Sequence, residues 1–270
     1  MPFGLADSDP SPGESAARPG NVRALERGLA IITAFDAKNS DLTLSDVART
    51  TGLPRAVVRR FLYTLEDLGY VKTDGKTFSL RPRVLQLGYA YLSSFGLPQI
   101  ARIHLQDLVA EIDESVALGV LDDTDMVYVA RVPSKRLTAV SVNVGKRFPA
   151  HATSMGRVLL AGQPKDWLDE YFAITKFTPL TPETTCDPAE LRELVDRAGR
   201  DGWSLVDQEL EVGLRAIAVP VRANGEVVAA VNVSVHADRN DGEIVAREMV
   251  PRLQHAAQAI ERDLEMSPRR

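Results

Sequence analysis

The 270-residue sequence predicts an α+β fold: an N-terminal winged helix-turn-helix domain over 21–81, a linker helix over 82–96 and a larger C-terminal α/β domain over 97–265. Three observations predict it. Ala48, Gly52, Val58 and Phe61 have the spacing of two short helices crossing steeply through a tight turn. Asp74-Gly75 interrupts two short alternating runs, as in a β-ribbon. Beyond residue 97 the apolar period switches between two and three-to-four, the mark of strands mixed with helices.

Each N-terminal element has its own signal. Val22, Leu25, Leu29, Ile32 and Phe35 recur at helical spacing and predict a first helix with that stripe inward. Thr43 with Asp46 three residues on marks the start of a second helix, and Leu42 can staple onto Val47. Gly52 ends it, and Pro54 suits the first turn of a third, because its missing N–H has no helical partner to lose. That helix extends to about Leu68, where Gly69 stops it, with Val58, Phe61, Leu62, Leu65 and Leu68 expected inward. In "GYVKTDGKTFSL" the ribbon is expected to turn on Asp74 and Gly75, both tolerant of positive φ. "PRVLQLGYAYLSS" then reads as the linker helix.

In the C-terminal part, "ESVALGVLDDTDMVYVARV" reads as two strands about an Asp-rich turn and "TAVSVNV" as a third. "LRAIAVPV" and "EVVAAVNVSV" read as a hairpin through Asn224-Gly225, with helices at 99–113, 154–163, 188–201 and 242–264.

Composition narrows the function classes. The single cysteine, Cys186, offers neither an internal disulfide nor a thiolate cage, so no metal or other cofactor is expected and a reducing cytoplasm fits. No apolar run approaches a membrane span, and residues 1–20 carry the Pro, Gly, Ser and acid content of a disordered tail rather than a signal peptide. The net charge of −5 hides a division: residues 21–81 hold 10 basic and 7 acidic side chains, whereas 82–270 hold 21 and 27. His104, His151, His236 and His255 have no metal-ligand spacing, and the common nucleophile and phosphate-loop motifs are missing.

The local positive charge has a direction. With Val58, Leu62 and Leu65 inward, Arg55 and Arg59 project outward together, beside Arg60 and Tyr63, on the side a DNA groove would meet. Arginine there can bond phosphate or grip guanine through two parallel hydrogen bonds. Lys72, Thr73 and Lys76 at the ribbon tip, with Thr43 and Thr51 at the ends of the second helix, complete the expected contact set for a double-stranded operator.

"LERGLAIITAF", the helix-turn-helix with its wing, "AHATSMGRVLLA", "DQELEVGLRAIAVPV" and "VVAAVNVSV" resemble the IclR family of transcriptional regulators, over nearly all of 21–264. "LPRAVVRRFLYTLEDLGYV" and "TSMGRVLLA" are most similar to the branch that controls aromatic-acid catabolism through protocatechuate, p-hydroxybenzoate and β-ketoadipate regulators. The resemblance implies a GAF-like effector domain, a small organic acid as effector, and homodimers or homotetramers on DNA. Its effector residues map onto His151, Ala152, Thr153, Ser154, Met155, Asp207, Glu209, Ala216, Asn232 and Ser234. Strand parity puts Asn232 with Ser234 on one face and leaves Arg215 on the other. Val206 and Ala216 depart from the polar pattern, which favours a larger, partly apolar acid. Two other readings of the second domain stay open: a small-acid hydrolase-like enzyme built on His151, Ser154, Asp207 and Glu209, and a ligand-free oligomerisation module.

Overall fold

A computed structural model describes residues 22–36, 39–88, 96–134, 143–238 and 241–266. The expected tail and the strand over 138–144 lie wholly or largely outside that range. The chain divides near residue 90 into two compact units.

The first unit orders α1 (Arg23–Thr33), β1 (Asp41–Thr43), α2 (Leu44–Thr51), α3 (Arg55–Asp67), β2 (Val71–Thr73) and β3 (Thr77–Leu80). Thr43 caps α2 reciprocally: its Oγ1 accepts from Asp46 N, and the Asp46 carboxylate accepts from Thr43 N. Gly52 takes φ 68°, a left-handed turn that lets α3 leave at once. Ile31, Leu42, Val47, Val58, Leu62, Leu65, Val71 and Phe78 form one core. The strands pair β1-β3-β2, so the wing is anchored by a short strand ahead of α2 that the period-two signal did not reveal.

Three expectations need correcting here. The first helix does not bury its whole stripe: Leu25 is 63% and Leu29 48% exposed, Val22 is exposed too, and the fully buried residue of α1 is Ile31. Leu68 is 52% exposed, because α3 ends at Asp67 and its last turn no longer faces the core. The ribbon turns one residue later than Asp74-Gly75: Asp74 N bonds Thr77 O, leaving Gly75 and Lys76 at the tip. Asp74 avoids positive φ, its carboxylate instead accepting from Lys76 N at 2.8 Å and Thr77 N at 2.7 Å. After the 3₁₀ turn Pro82–Val84, residues 85–88 are helical, and the rest of the expected linker up to residue 95 lies outside the described residues.

The second unit runs α4 (Leu97–Ile112), β4 (Ser115–Asp122), β5 (Asp125–Val132), β6 (Arg147–Pro149), α5 (Ser154–Ala161), α6 (Lys165–Ile174), α7 (Pro188–Asp201), β7 (Ser204–Asp207), β8 (Leu214–Ala223), β9 (Glu226–His236) and α8 (Gly242–Met266). Its six antiparallel strands lie in the order β6-β5-β4-β9-β8-β7. Asn224 and Gly225, at φ 55° and 85°, make the expected hairpin turn between β8 and β9.

Both sheet faces are covered, by different chemistry. Val116, Leu118, Ile217, Val219, Val231 and Val233 pack with α4 and α8 residues such as Leu105 and Leu253. The opposite face carries small residues: Ala117, Ala218 and Ala230 meet Met155, Val158 and Leu159 of α5. β-branched bulk builds the larger core on one side, while on the other the short side chains let α5 pack close to the sheet, beside Met126 and Tyr128.

Candidate functional site

On the first unit, α3 buries Val58, Leu62 and Leu65 and exposes Arg55, Arg59, Arg60 and Tyr63. The Arg59 guanidinium lies 5.7 Å from the Tyr63 ring centroid, and Tyr63 meets Phe78 of the wing edge-on at 5.9 Å. A cation–π contact and an aromatic pair thus steady the arginine that the helix presents. Lys72 and Lys76 are exposed on the ribbon. The three threonines are spent locally. Thr43 caps α2, Thr51 Oγ1 donates to Val47 O at 2.7 Å, and Thr73 Oγ1 donates to Thr77 O at 2.6 Å. The outward cationic set is therefore Arg55, Arg59, Arg60, Lys72 and Lys76.

On the second unit, cross-strand register defines rows on the α5 face. Ser115, Ser234, Ala216 and Val206 form one row. Ala117, Asn232, Ala218 and Ser204 form the next. The start of α5 packs on this face through Met155. Thr153 caps that helix, its Oγ1 accepting from Gly156 N at 3.0 Å. A Cβ on Gly156 would stand 2.0 Å from the Ala150 carbonyl oxygen, so only glycine lets the preceding 3₁₀ turn lie so close. Ser154 and Asn232 are buried, yet Ser154 Oγ and Asn232 Oδ1 have no hydrogen-bond partner among the described residues. Asn232 Nδ2 reaches Ser234 Oγ at 3.3 Å. Two unmet polar atoms over an alanine-lined floor are what a polar ligand would satisfy, since a buried oxygen without a donor costs about 1–3 kcal/mol.

The register separates the remaining expected residues. Asp207 pairs across β7 and β8 with Arg215 rather than Ala216, so it points to the α8 face, where its carboxylate bonds Arg215 Nη2 at 2.7 Å. Its place in the effector set is corrected on that parity. Glu209 is buried, but its carboxylate is engaged by Arg157 Nη2 at 2.6 Å and Thr185 N at 2.9 Å. Thr184 Oγ1 also donates to the Glu209 carbonyl at 2.7 Å, fastening the 207–213 loop to the segment after α6. The acidic group there is an internal counter-charge, not an open ligand contact. His151 belongs to the aromatic cluster behind α5, edge-on to Phe177 at 5.2 Å, and burial holds its imidazole below the ordinary range. Ala152 and Thr153 are buried in the turn that aims α5. Sequence reasoning missed Arg157, although a basic residue inside an otherwise apolar "MGRVLLA" already signals a buried charge in need of a partner.

A winged helix-turn-helix with an outward arginine face, carried on the same chain as a separate α/β unit, defines a DNA-binding regulator. The chain belongs to the IclR family of bacterial transcriptional regulators. The IclR helix-turn-helix domain matches residues 24–75, and the domain described as bacterial transcriptional regulator IclR C-terminal matches 89–262. Among relatives, the Pca regulon regulatory protein of Pseudomonas putida is 42% identical, over 91% of this chain and 84% of its own length. The p-hydroxybenzoate hydroxylase transcriptional activator of Acinetobacter baylyi is 35% identical, over 87% of this chain and 89% of its own. An IclR homolog from Microbacterium hydrocarbonoxydans, solved in complex with 4-hydroxybenzoate, superposes with a TM-score of 0.80 at 26% identity, over 90% of this chain and all of its own. The family is one of regulators rather than enzymes, which removes the hydrolase reading. No helix among the described residues is long and apolar enough to cross a membrane.

Proposed function

We propose that this regulator controls genes of aromatic-acid catabolism, and that a small aromatic or dicarboxylic acid binds between the α5 start and the Ala216, Ala218, Asn232 and Ser234 floor. The observation that carries this reading is the pair of unmet buried oxygens, Ser154 Oγ and Asn232 Oδ1, on a face whose buried cluster is apolar, with Ala117, Ala218, Met126 and Tyr128 among its members. Val206 and Ala216 keep that floor apolar, which suits a ring better than a two- or three-carbon acid. N–H groups at the start of α5 supply donors for an anionic end of the ligand. The names of the relatives from Pseudomonas and Acinetobacter point to the same metabolic setting.

The operator is read by α3 with Arg55, Arg59, Arg60 and Tyr63, and the wing's Lys72 and Lys76 hold the flanking backbone. The chain works in the cytoplasm as a homodimer or a pair of dimers, and exposed Leu25, Leu29, Leu85 and Leu87 of the first unit give such a pairing its apolar surface. Titration calorimetry of the purified protein with protocatechuate, 4-hydroxybenzoate and β-ketoadipate tests the effector reading. Saturable binding of one of them without turnover supports it. Silence across all three favours a ligand-free assembly domain instead.

A further inference from the structure

A dimeric regulator matches its operator only if its two reading helices stand at the distance and angle of the two half-sites. In this chain the path from α3 to the exposed leucines of the linker start passes through one small cluster, Gly69, Tyr70 and Arg83. The end of α3 is closed by its own backbone. Gly69 takes φ 78°, its N–H donates to Glu66 O at 2.8 Å, and Tyr70 N donates to Leu65 O at 2.8 Å. Tyr70 is thereby fixed to the last turn of the helix that presents Arg55, Arg59 and Arg60.

After the wing the chain returns to the same residue. Arg81 N donates to Tyr70 O at 2.8 Å, and Pro82, its φ set by the ring, opens the 3₁₀ turn Pro82–Val84. The Arg83 guanidinium then lies 5.3 Å from the Tyr70 ring centroid. It also rests against Gly69, where a Cβ would stand 3.2 Å from Arg83 Nη1. A flat, delocalised cation suits an aromatic face, so the stack holds the turn as well as the side chain. Residues 85–88 continue from this turn as helix, with Leu85 73% and Leu87 52% exposed. The linker's first leucines therefore leave the reading unit in a direction set by the end of α3.

We propose that Arg83 is a positioning residue that sets operator specificity without touching DNA. By clamping the linker's first turn to Tyr70 it fixes the angle between α3 and the pairing surface, and with it the half-site spacing that a dimer accepts. This rests on the dimer reading above, with Leu85 and Leu87 in the pairing surface. One extra base pair moves a half-site by about 3.4 Å and turns it by about 35°, a change that a clamped linker resists and a loose one follows.

The test varies spacing. Footprinting on the promoter fragment maps the operator, and duplexes are made with the native spacing, one base pair more, one base pair fewer, and a single half-site. Fluorescence anisotropy measures the wild type, Arg83→Ala, Tyr70→Leu and Tyr70→Phe, each checked by circular dichroism for native fold and by sedimentation for the dimer. The wild type is expected to prefer the native spacing by roughly tenfold, the scale of one mismatched base pair. Arg83→Ala and Tyr70→Leu keep the single half-site affinity but lose about threefold of that preference, the scale of one exposed cation–π contact. Tyr70→Phe keeps the ring and the preference. A folded, dimeric Arg83→Ala that retains the wild-type ratio between spacings overturns the proposal, and so does one that loses as much affinity for the single half-site as for the whole operator. A wild type that sediments as a dimer yet binds every spacing alike overturns the proposal alone. One that sediments as a monomer removes the dimer reading and this inference together.

Discussion

Arg157 and Glu209 show how a single residue pair organises the second domain. With side chains 2% and 9% exposed, the two charges sit in surroundings where the cost of leaving water is offset only by their mutual contact and by the bonds to His151 O and Thr185 N. Glu209→Ala therefore strands a buried guanidinium, and chemical unfolding is expected to show a loss of about 3–5 kcal/mol. A joint Arg157→Met, Glu209→Leu change is expected to cost less than the single substitution, because it removes both charges at once. His151 gives a pH-dependent counterpart. Burial depresses its folded-state pKa below the unfolded value, so the neutral ring's contribution is whole above the ordinary histidine range and is lost as pH falls through that range toward the depressed value. Thermal melts between pH 7 and 5 should show falling stability, with a shallower slope in His151→Asn. The sequence disclosed the polar residues near "AHATSMG" but not their directions. Which way His151 faces depends on Phe177, 26 positions on, and no local pattern encodes a contact at that separation.

Among the elements, α3 and α5 carry the two proposed activities. For α3 the sequence was a sufficient guide, because an amphipathic helix declares its outer face by what cannot be buried, and Arg55, Arg59 and Arg60 emerge where period 3.6 puts them. Arg59→Ala is expected to weaken operator binding and to flatten the plot of log affinity against log salt by about one unit, measured by fluorescence anisotropy. For α5 the start at residue 154 was expected from the sequence, and the structure shows Thr153 capping it, whereas its dependence on Gly156 was not legible, since the obstructing carbonyl belongs to the turn before it. Gly156→Ala should displace the α5 start and abolish acid binding in calorimetry while leaving the first unit's DNA contacts in place. Short elements were the ones the pattern missed. β1, β6 and β7 have three or four residues each, too few for alternation to stand out, and α6 was passed over although Pro164 and the Leu168, Tyr171 spacing announce it. The parity of β7 then decided that Asp207 and Val206 exchange the sides a residue-type argument would give them.

For the whole molecule, fold class and family were legible because every level of the sequence agreed: charge division, turn residues, periodicity and family motifs all pointed to one arrangement. Regulation requires more than two competent parts. An acid alters transcription only if it binds the DNA-competent and DNA-incompetent arrangements unequally, and a tenfold difference in affinity corresponds to about 1.4 kcal/mol of coupling. By reciprocity, operator DNA must change the acid's affinity by the same factor. The decisive measurement is anisotropy titration of a fluorescent promoter fragment with the full chain, across a salt series, with and without saturating 4-hydroxybenzoate or protocatechuate. The account predicts binding that weakens steeply with salt and a midpoint that one of the acids shifts severalfold. A folded protein that ignores its promoter at low ionic strength, or binds it with an affinity that neither salt nor any carboxylate alters, would contradict it.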